Sequence, residues 1–369
     1  MATTDVKVYA KNLEQAAQEQ IDTLANFEAF SSAKIRIMPD AHAGAGCVIG
    51  FTADLGEKVV ANLVGVDIGC GMLTVRLSER VDFERLDEVI RKVVPSGFGV
   101  HGRPTCDVGS LGLRCLDRLR KVDHLNRSMG TLGGGNHFLA IDEDTDGNHY
   151  LVIHTGSRNL GLQVANIYQK LGEETCEADV PRELKWLEGQ DAVDYLHDMR
   201  ICQKWARQNR ESIAKAILVG VRADSEDEFQ TVHNYIGDDN VIRKGAISAK
   251  RGERVLIPLN MRDGCLICTG LGNDDWNNSA PHGAGRTMSR TQARKMLDLD
   301  SFIEQMGGVY STTVCQETID EAPDAYKPSQ DIVDAIDGVT VTVDERLREV
   351  YNFKATDSGR GFGQRNGKR

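Results

Sequence analysis

One short stretch, residues 65–72 (GVDIGCGM), places a carboxylate and a thiol in a single glycine-rich turn. Its glycines let the backbone turn where a Cβ atom would clash. A hard oxygen ligand (Asp67) beside a soft sulfur ligand (Cys70) is typical of a divalent metal site. A glycine turn holding a buried cysteine fits equally well, because cysteine is often found in cores. This stretch alone therefore leaves both interpretations open.

Three histidines adjoin apolar segments that predict strands. His154 follows 150–153, His233 follows 229–232, and His137 stands between a Gly-Gly-Gly-Asn turn and the next predicted strand. A single histidine of this kind is usually a hydrogen-bonded core residue. Three of them, together with the Asp–Cys turn, favour a metal cluster at the strand ends.

A fourth histidine, His282, lies in the segment 279–286 (SAPHGAGR). The pattern after it predicts a helix that runs to about Gln305. Because a helix N-terminus preceded by small residues is a ready anion site, His282 is placed to meet a phosphate. The alternative is a histidine that caps the helix.

The remaining pattern predicts one α+β domain, with mixed or antiparallel sheets flanked by helices and no repeat or linker. Further helices are expected over 8–30, 81–94, 111–125, 162–174 and 192–218. Strands are expected over 35–38, 47–53, the run leading into 65–72, 73–77, 138–141, 150–153, 229–232, 255–259, 265–268, 310–314, 339–343 and 347–353. The domain is expected to cover 1–355, and 356–369 is expected to be a flexible tail.

Composition limits the class of protein. An apolar content of 40% and a charged content of 27% are ordinary for a soluble globular protein, and the net charge of −11 argues against non-specific polyanion binding. We find no membrane-spanning run and no signal peptide, so the nine scattered cysteines are interpreted as reduced thiols in the cytoplasm. The Cys265-x-x-Cys268 pair lies in an apolar run, which favours core packing.

Five motifs, read in order, resemble the RtcB family of GTP- and manganese-dependent RNA ligases. They are GVDIGCGM (65–72), GGGNHF (133–138), HTGSR (154–158), HN (233–234) followed by RKGA (243–246), and HGAGR (282–286). The resemblance runs from Met38 to Lys354 and is that of a short, divergent paralogue.

The resemblance implies two Mn²⁺ ions. Asp67, Cys70 and His137 would hold one, while His154 and His233 would hold the other, with Cys70 bridging both as a thiolate. Ligand softness alone would favour Zn²⁺ for this set, so manganese is implied only by the resemblance.

The resemblance also implies that His282 is the nucleophile that accepts GMP from GTP. The GTP pocket would comprise Asn136, Asn234, Pro258, Asn260, Met261, Cys265, Gly283, Ala284, Gly285 and Lys354. RNA phosphates are expected to contact Arg158, Arg243, Lys244 and Arg286.

The implied reaction joins an RNA 3′-phosphate or 2′,3′-cyclic phosphate to a 5′-hydroxyl, through guanylylated histidine and an RNA-ppG intermediate, in tRNA splicing or RNA repair. An archease-like activator is a candidate partner. Three departures from the family pattern stand out. Ala140 replaces a glutamate that would face guanine, 259–262 reads Leu-Asn-Met-Arg with Cys265 in place of a common serine, and the chain continues after Lys354-Ala355, where relatives stop just after Lys-Gly. Two alternatives remain: a metal-dependent cyclic phosphodiesterase without ligation, and a weakened RNA-binding or damage-sensing paralogue.

Overall fold

The computed structural model describes residues 4–356. Its helices are α1 (Gln15–Ala25), α2 (Phe83–Val93), α3 (Val122–Leu125), α4 (Arg158–Thr175), α5 (Gly189–Val221), α6 (Arg290–Met296), α7 (Leu299–Gln305) and α8 (Ser329–Ile336). Its strands are β1 (Asp5–Val8), β2 (Lys34–His42), β3 (Ile49–Asp54), β4 (Gly71–Leu77), β5 (Phe138–Glu143), β6 (His149–Thr155), β7 (Ser225–Val232), β8 (Asn234–Ile236), β9 (Val241–Lys244), β10 (Ala246–Ser248), β11 (Arg254–Asn260), β12 (Gly264–Gly270), β13 (Ser279–Pro281) and β14 (Val341–Lys354).

The strands form three sheets within the described residues. The largest has the order β11-β12-β14-β5-β6-β4-β7, the second has the order β1-β2-β3-β9-β8, and β10 pairs with β13. Of the named pairs in this part of the chain, only β1 and β2 run parallel. The α+β prediction is therefore confirmed.

Helices α2 and α5 cover one face of the seven-stranded sheet. Leu86 and Ile90 on α2, with Ile213 and Ile217 on α5, pack against alternate strand residues such as Leu73. The opposite face is also apolar, which is why every residue of β6 is buried. Burial on both faces explains why β6 has a continuous apolar run instead of an alternating pattern.

Several local predictions were wrong. Residues 111–125 form a helix only over α3, because buried Asp198 accepts hydrogen bonds from the amides of Arg114 and Cys115 and holds that backbone in an irregular path. The run before 65–72 contains a 3₁₀ turn at Ala61–Leu63 instead of a strand. Tyr310 contributes only an isolated bridge to Tyr351.

The two ends of the chain differ from expectation or lie outside the description. The helix predicted over 8–30 begins only at Gln15, after β1 has paired with β2. The tail expected over 356–369 lies almost wholly outside the described residues. Across residues 4–356, no helix combines the length and apolar composition needed to span a membrane.

One buried cation ties α5 to the Asp–Cys turn. The Arg210 guanidinium donates to the carbonyl of Gly69 at 2.9 Å and to that of Thr155 at 2.8 Å. Both carbonyls lie at the end of the sheet where Cys70 stands, so Arg210 sets the position of the turn relative to β6.

Replacing Arg210 with methionine should lower the free energy of unfolding by about 2–4 kcal/mol, because two buried carbonyls lose their partner. The matched control is Arg207→Met on the same helix, where a side chain that is 68% exposed pairs with Glu211. That control should change stability by no more than about 0.5 kcal/mol. Urea denaturation measures both variants, and equal losses would contradict the anchoring role of Arg210.

Candidate metal centre and adjoining cavities

The strand order explains why the predicted ligands meet. Strands β5, β6, β4 and β7 are consecutive neighbours in the large sheet, and each carries one ligand at the same edge. His137 precedes β5, His154 lies near the end of β6, Cys70 precedes β4 and His233 follows β7. Residues far apart along the chain thus form one cluster.

The ligand atoms in this cluster approach to hydrogen-bonding distance. The Cys70 sulfur lies 3.3 Å from His154 Nε2 and 3.6 Å from His137 Nε2. His154 Nε2 lies 3.4 Å from His233 Nε2, and His137 Nε2 lies 2.8 Å from an Asp67 carboxylate oxygen. The cluster is compact because Gly156 has no Cβ, which would lie 2.1 Å from the Asp67 carboxylate.

Outer hydrogen bonds direct the imidazole lone pairs inward. Nδ1 of His137 donates to the carbonyl of Leu132 at 2.9 Å, and Nδ1 of His154 donates to that of Asn136 at 3.2 Å. Each Nε2 then faces the cluster, where that of His154 is an acceptor and that of His137 is hydrogen-bonded to the Asp67 carboxylate. Burial lowers the pKa of His154 and of His233 well below the usual value, which keeps both rings neutral and able to bind a metal.

The charges of the other two ligands also fit a cation. Burial and the neighbouring Asp67 raise the pKa of Cys70 well above its usual value, and a bound cation would reverse that shift. Burial also opposes ionisation of Asp67, but His137 and Arg158 lower its pKa to about 2. The donor atoms form two groups, and within each group they all lie within 4.8 Å of one another. One group is Cys70 with His154 and His233, and the other is Cys70 with Asp67 and His137, so the Cys70 sulfur belongs to both. This arrangement can hold two metal ions with Cys70 between them.

A cavity of about 340 Å³, the first cavity, opens beside His154 and His233. The His282 ring lies next to them, with its centroid 5.0 Å from that of His233. Most of the residues predicted to bind nucleotide line this cavity: Asn136, Asn234, Pro258, Asn260, Met261, Gly283, Ala284, Gly285 and Lys354. The structure therefore brings these residues and the metal cluster into one site.

His282 is oriented by a carboxylate, and it does not stand at a helix N-terminus. Its Nδ1 lies 2.7 Å from the carboxylate of Asp40, which is fully buried. The predicted helix is replaced by a loop up to Ser289, followed by the short helices α6 and α7. The loop can pass so close to Asp40 because residue 285 is glycine: a Cβ there would lie 2.1 Å from the Asp40 carbonyl oxygen. The hydrogen bond between Nδ1 and the Asp40 carboxylate leaves Nε2 of His282 as the ring nitrogen available for chemistry.

A buried ion-pair network forms another part of the wall of the first cavity. The Lys354 ammonium lies 2.5 Å from Glu321, and Arg290 lies 2.8 Å from the same carboxylate group. Burial would favour protonated Glu321, but Lys354, Arg290 and Arg286 lower its pKa to about 2. The network holds three cations around one carboxylate, so this wall suits an anionic ligand.

Four other predicted contacts lie elsewhere. Cys265 is buried between β11 and β14 and does not line the first cavity. Arg243 is fully buried and pairs with Asp239, and Lys244 donates to backbone carbonyls inside the protein. These placements do not favour the predicted nucleotide contact of Cys265 or the predicted RNA contacts of Arg243 and Lys244. Arg286 lines the first cavity, whereas Arg158 lines another cavity, whose wall includes Asp67 and His137.

Two residues of the site were not singled out as site residues by the sequence. Asp40 lies with His42 in a glycine-rich turn, a pattern that fits a functional site and ordinary turn chemistry equally well, and nothing in the sequence linked it to His282. Glu321 had no signal, because its role depends on Lys354 and the arginines that surround it.

The chain is similar in sequence to known proteins over most of its length. The family model described as "tRNA-splicing ligase RtcB" matches residues 20–116 and 116–355. The chain is 30% identical to RNA-splicing ligase RtcB of Escherichia coli K12, over 95% of this chain and 97% of that protein. It is 31% identical to RNA-splicing ligase RtcB1 of another Escherichia coli strain, with the same coverage. It is 28% identical to tRNA-splicing ligase RtcB of Nanoarchaeum equitans, over 80% of this chain and 83% of that protein.

Removing the shared sulfur should affect both ion sites. After loading with Mn²⁺ and gel filtration, elemental analysis should find about two ions per wild-type chain, about one in His137→Ala and almost none in Cys70→Ala. Cys47→Ala is the control, because that thiol is buried but belongs to neither ligand group. A Cys70→Ala protein that keeps both ions would contradict the bridging role.

Proposed function

The chain belongs to the RtcB family of tRNA-splicing ligases, and we propose that it is an RNA ligase that uses GTP and two Mn²⁺ ions. In this proposal it joins an RNA 3′-phosphate, or a 2′,3′-cyclic phosphate opened by water, to a 5′-hydroxyl, in tRNA splicing or RNA repair. The observation that carries the proposal is the placement of His282: its ring lies 5.0 Å from His233 of the metal cluster and is hydrogen-bonded to buried Asp40.

The first step would be formation of a histidine–GMP adduct. His282 Nε2 attacks the α-phosphorus of GTP, the new N–P bond forms, and pyrophosphate leaves with the electron pair of the broken P–O bond. Asp40 keeps the ring proton on Nδ1, so that the lone pair is on Nε2, and stabilises the positive charge that develops on the ring. Lys354, Arg286 and Arg290 in the wall of the first cavity bind the phosphates.

The next two steps would transfer GMP and release it. An oxygen of the RNA 3′-phosphate attacks the adduct, the N–P bond breaks, and RNA-ppG forms. The 5′-hydroxyl then attacks the RNA phosphorus, loses its proton and displaces GMP. Metal ions held by Asp67, Cys70, His137, His154 and His233 would supply charge neutralisation for these phosphates and lower the pKa of the attacking hydroxyl.

Two other functions use parts of the same site. A metal-dependent cyclic phosphodiesterase would need the cluster but no histidine adduct. A weakened RNA-binding or damage-sensing paralogue would need neither reaction. The contact between Asp40 and His282 favours ligation over both, because hydrolysis and sensing give no reason to orient a free Nε2 beside a nucleotide-sized cavity. An archease-like activator remains part of the proposal as a candidate partner.

Replacing His282 with alanine should abolish the covalent adduct and leave metal content unchanged, because His282 belongs to neither ligand group. Incubation with α-labelled GTP and Mn²⁺, followed by denaturing electrophoresis, measures the adduct, and labelled ATP run in parallel tests the effect of Ala140. His197→Ala on α5 is the control. A labelled His282→Ala protein would refute the nucleophile assignment. Wild-type protein that opens a cyclic phosphate without labelling would favour the phosphodiesterase.

Replacing Asp40 with asparagine should slow adduct formation by about 10³- to 10⁴-fold, since the amide can donate to Nδ1 and leave the proton on Nε2. Single-turnover labelling with GTP measures the rate. Metal content and the thermal unfolding midpoint serve as controls, because a misfolded variant would lose the label for another reason. A rate within about threefold of wild type would show that Asp40 does not set the tautomer.

A further inference from the structure

A second cavity of about 380 Å³ adjoins the metal-ligand cluster. Two metal-ligand candidates, Asp67 and His137, lie in its wall, whereas His154 and His233 line the first cavity. Asn136 lines both. The cluster therefore borders two spaces, and only one of them contains His282.

The second cavity contains a cation, Arg158, that shares the cavity wall with the Asp67 carboxylate but forms no direct ion pair with it. Arg158 donates to Thr131 Oγ1 at 3.3 Å and to the Gly97 carbonyl at 3.4 Å, and within residues 4–356 it forms no ion pair with a carboxylate. Its guanidinium lies against the Gly133 backbone, where a Cβ would lie 1.7 Å from Nη1. Arg158 also has a φ of +57°, a left-handed conformation that is strained for a side chain of this size. A partly buried guanidinium that has neutral hydrogen-bond partners and no direct ion pair is suited to bind a phosphate.

The rim of the second cavity carries an unusual exposed aromatic ring. Phe98 is 85% exposed, and Val66, which is 48% exposed, lines the same cavity. The Phe98 loop is held in place, because the Gly97 amide donates to the Gly133 carbonyl at 2.8 Å and the Leu132 amide donates to the Pro95 carbonyl at 2.9 Å. An aromatic ring presented on a fixed loop beside an anion site is typical of proteins that stack an unpaired base.

We propose that Phe98 stacks on the base of the 3′-terminal nucleotide of the RNA in the second cavity, with the terminal phosphate at Arg158, the RNA contact that the family resemblance already implies. This inference rests on the proposed function, which makes an RNA end the substrate. Both cavities have Asn136 in their walls, so the phosphate that accepts GMP would lie beside the GTP cavity. Phe98 then acts as a binding residue for the RNA end and has no part in forming the adduct on His282.

The probe is a short single-stranded RNA with a 3′-phosphate and 2-aminopurine at its last position, mixed with the Mn²⁺-loaded protein without GTP. Stacking on Phe98 should quench the fluorescence. Phe98→Ala should remove the quenching and weaken binding about 5- to 100-fold, the range found for loss of one base–aromatic stack. Phe98→Tyr should keep both, and Val219→Ala controls for loss of an exposed apolar side chain elsewhere.

The end group is tested separately. Wild-type protein should bind the 3′-phosphate RNA at least about tenfold more tightly than the same RNA with a 3′-hydroxyl, and Arg158→Met should remove that difference. The wild-type comparison decides this part even if Arg158→Met does not fold. Equal affinity for the two ends would overturn the phosphate assignment.

Other outcomes overturn the stacking assignment. One is that the Phe98→Ala protein quenches the probe as strongly as the wild-type protein does. The other is that Phe98→Ala changes self-association without changing RNA binding, which would make Phe98 a contact between copies of the chain. Labelling with GTP separates this inference from the proposed function. Phe98→Ala should form the His282 adduct at the wild-type rate. A protein that quenches the probe but is never labelled would keep this inference and refute the ligase mechanism.

Discussion

The structure depends on an electrostatic conflict around Cys70. Its sulfur lies within 3.6 Å of the Nε2 atoms of both His137 and His154, while Nδ1 of each ring donates its proton to a backbone carbonyl outside the cluster. Several lone pairs therefore converge in a buried space, which is unfavourable unless a cation lies among them. Metal binding and stability of this edge of the sheet are consequently coupled. Arg210 donates to the Gly69 carbonyl and so fixes the position of the turn that carries Asp67 and Cys70.

The sequence predicted the members of the cluster but not their arrangement. Alternating apolar segments locate the ends of strands, and this was enough to place His154 and His233 at strand ends. Their meeting depends on β7 lying beside β4 and β6 beside β5, an order that local patterns do not contain. The family resemblance supplied the grouping that composition and spacing could not. The roles of the individual ligands stay predictions.

Where the sequence analysis was wrong, tertiary contacts had replaced the local signal. The segment after His282 has a helical pattern, yet its first residues pack against Asp40 and form a loop. Likewise, basic residues look alike in sequence whether they face solvent or the interior. Arg243 pairs internally with Asp239, so its charge is already neutralised, whereas Arg158 has no such partner in the described chain. The difference lies in neighbours distant in sequence.

The loss of the expected helix changes how the site can attract phosphate. A helix N-terminus would have offered a fixed dipole, whereas the wall here offers Lys354 and two arginines that share Glu321. Glu321 and Asp320 offset part of their charge, and the whole chain carries a net charge of −11, so long-range attraction for an RNA backbone is weak. Under the proposed function, recognition must then come from the ends of the RNA. A terminal phosphate carries more charge than an internal one and can enter an enclosed cavity, which an intact strand cannot do. The acidic surface therefore favours broken RNA over unbroken RNA.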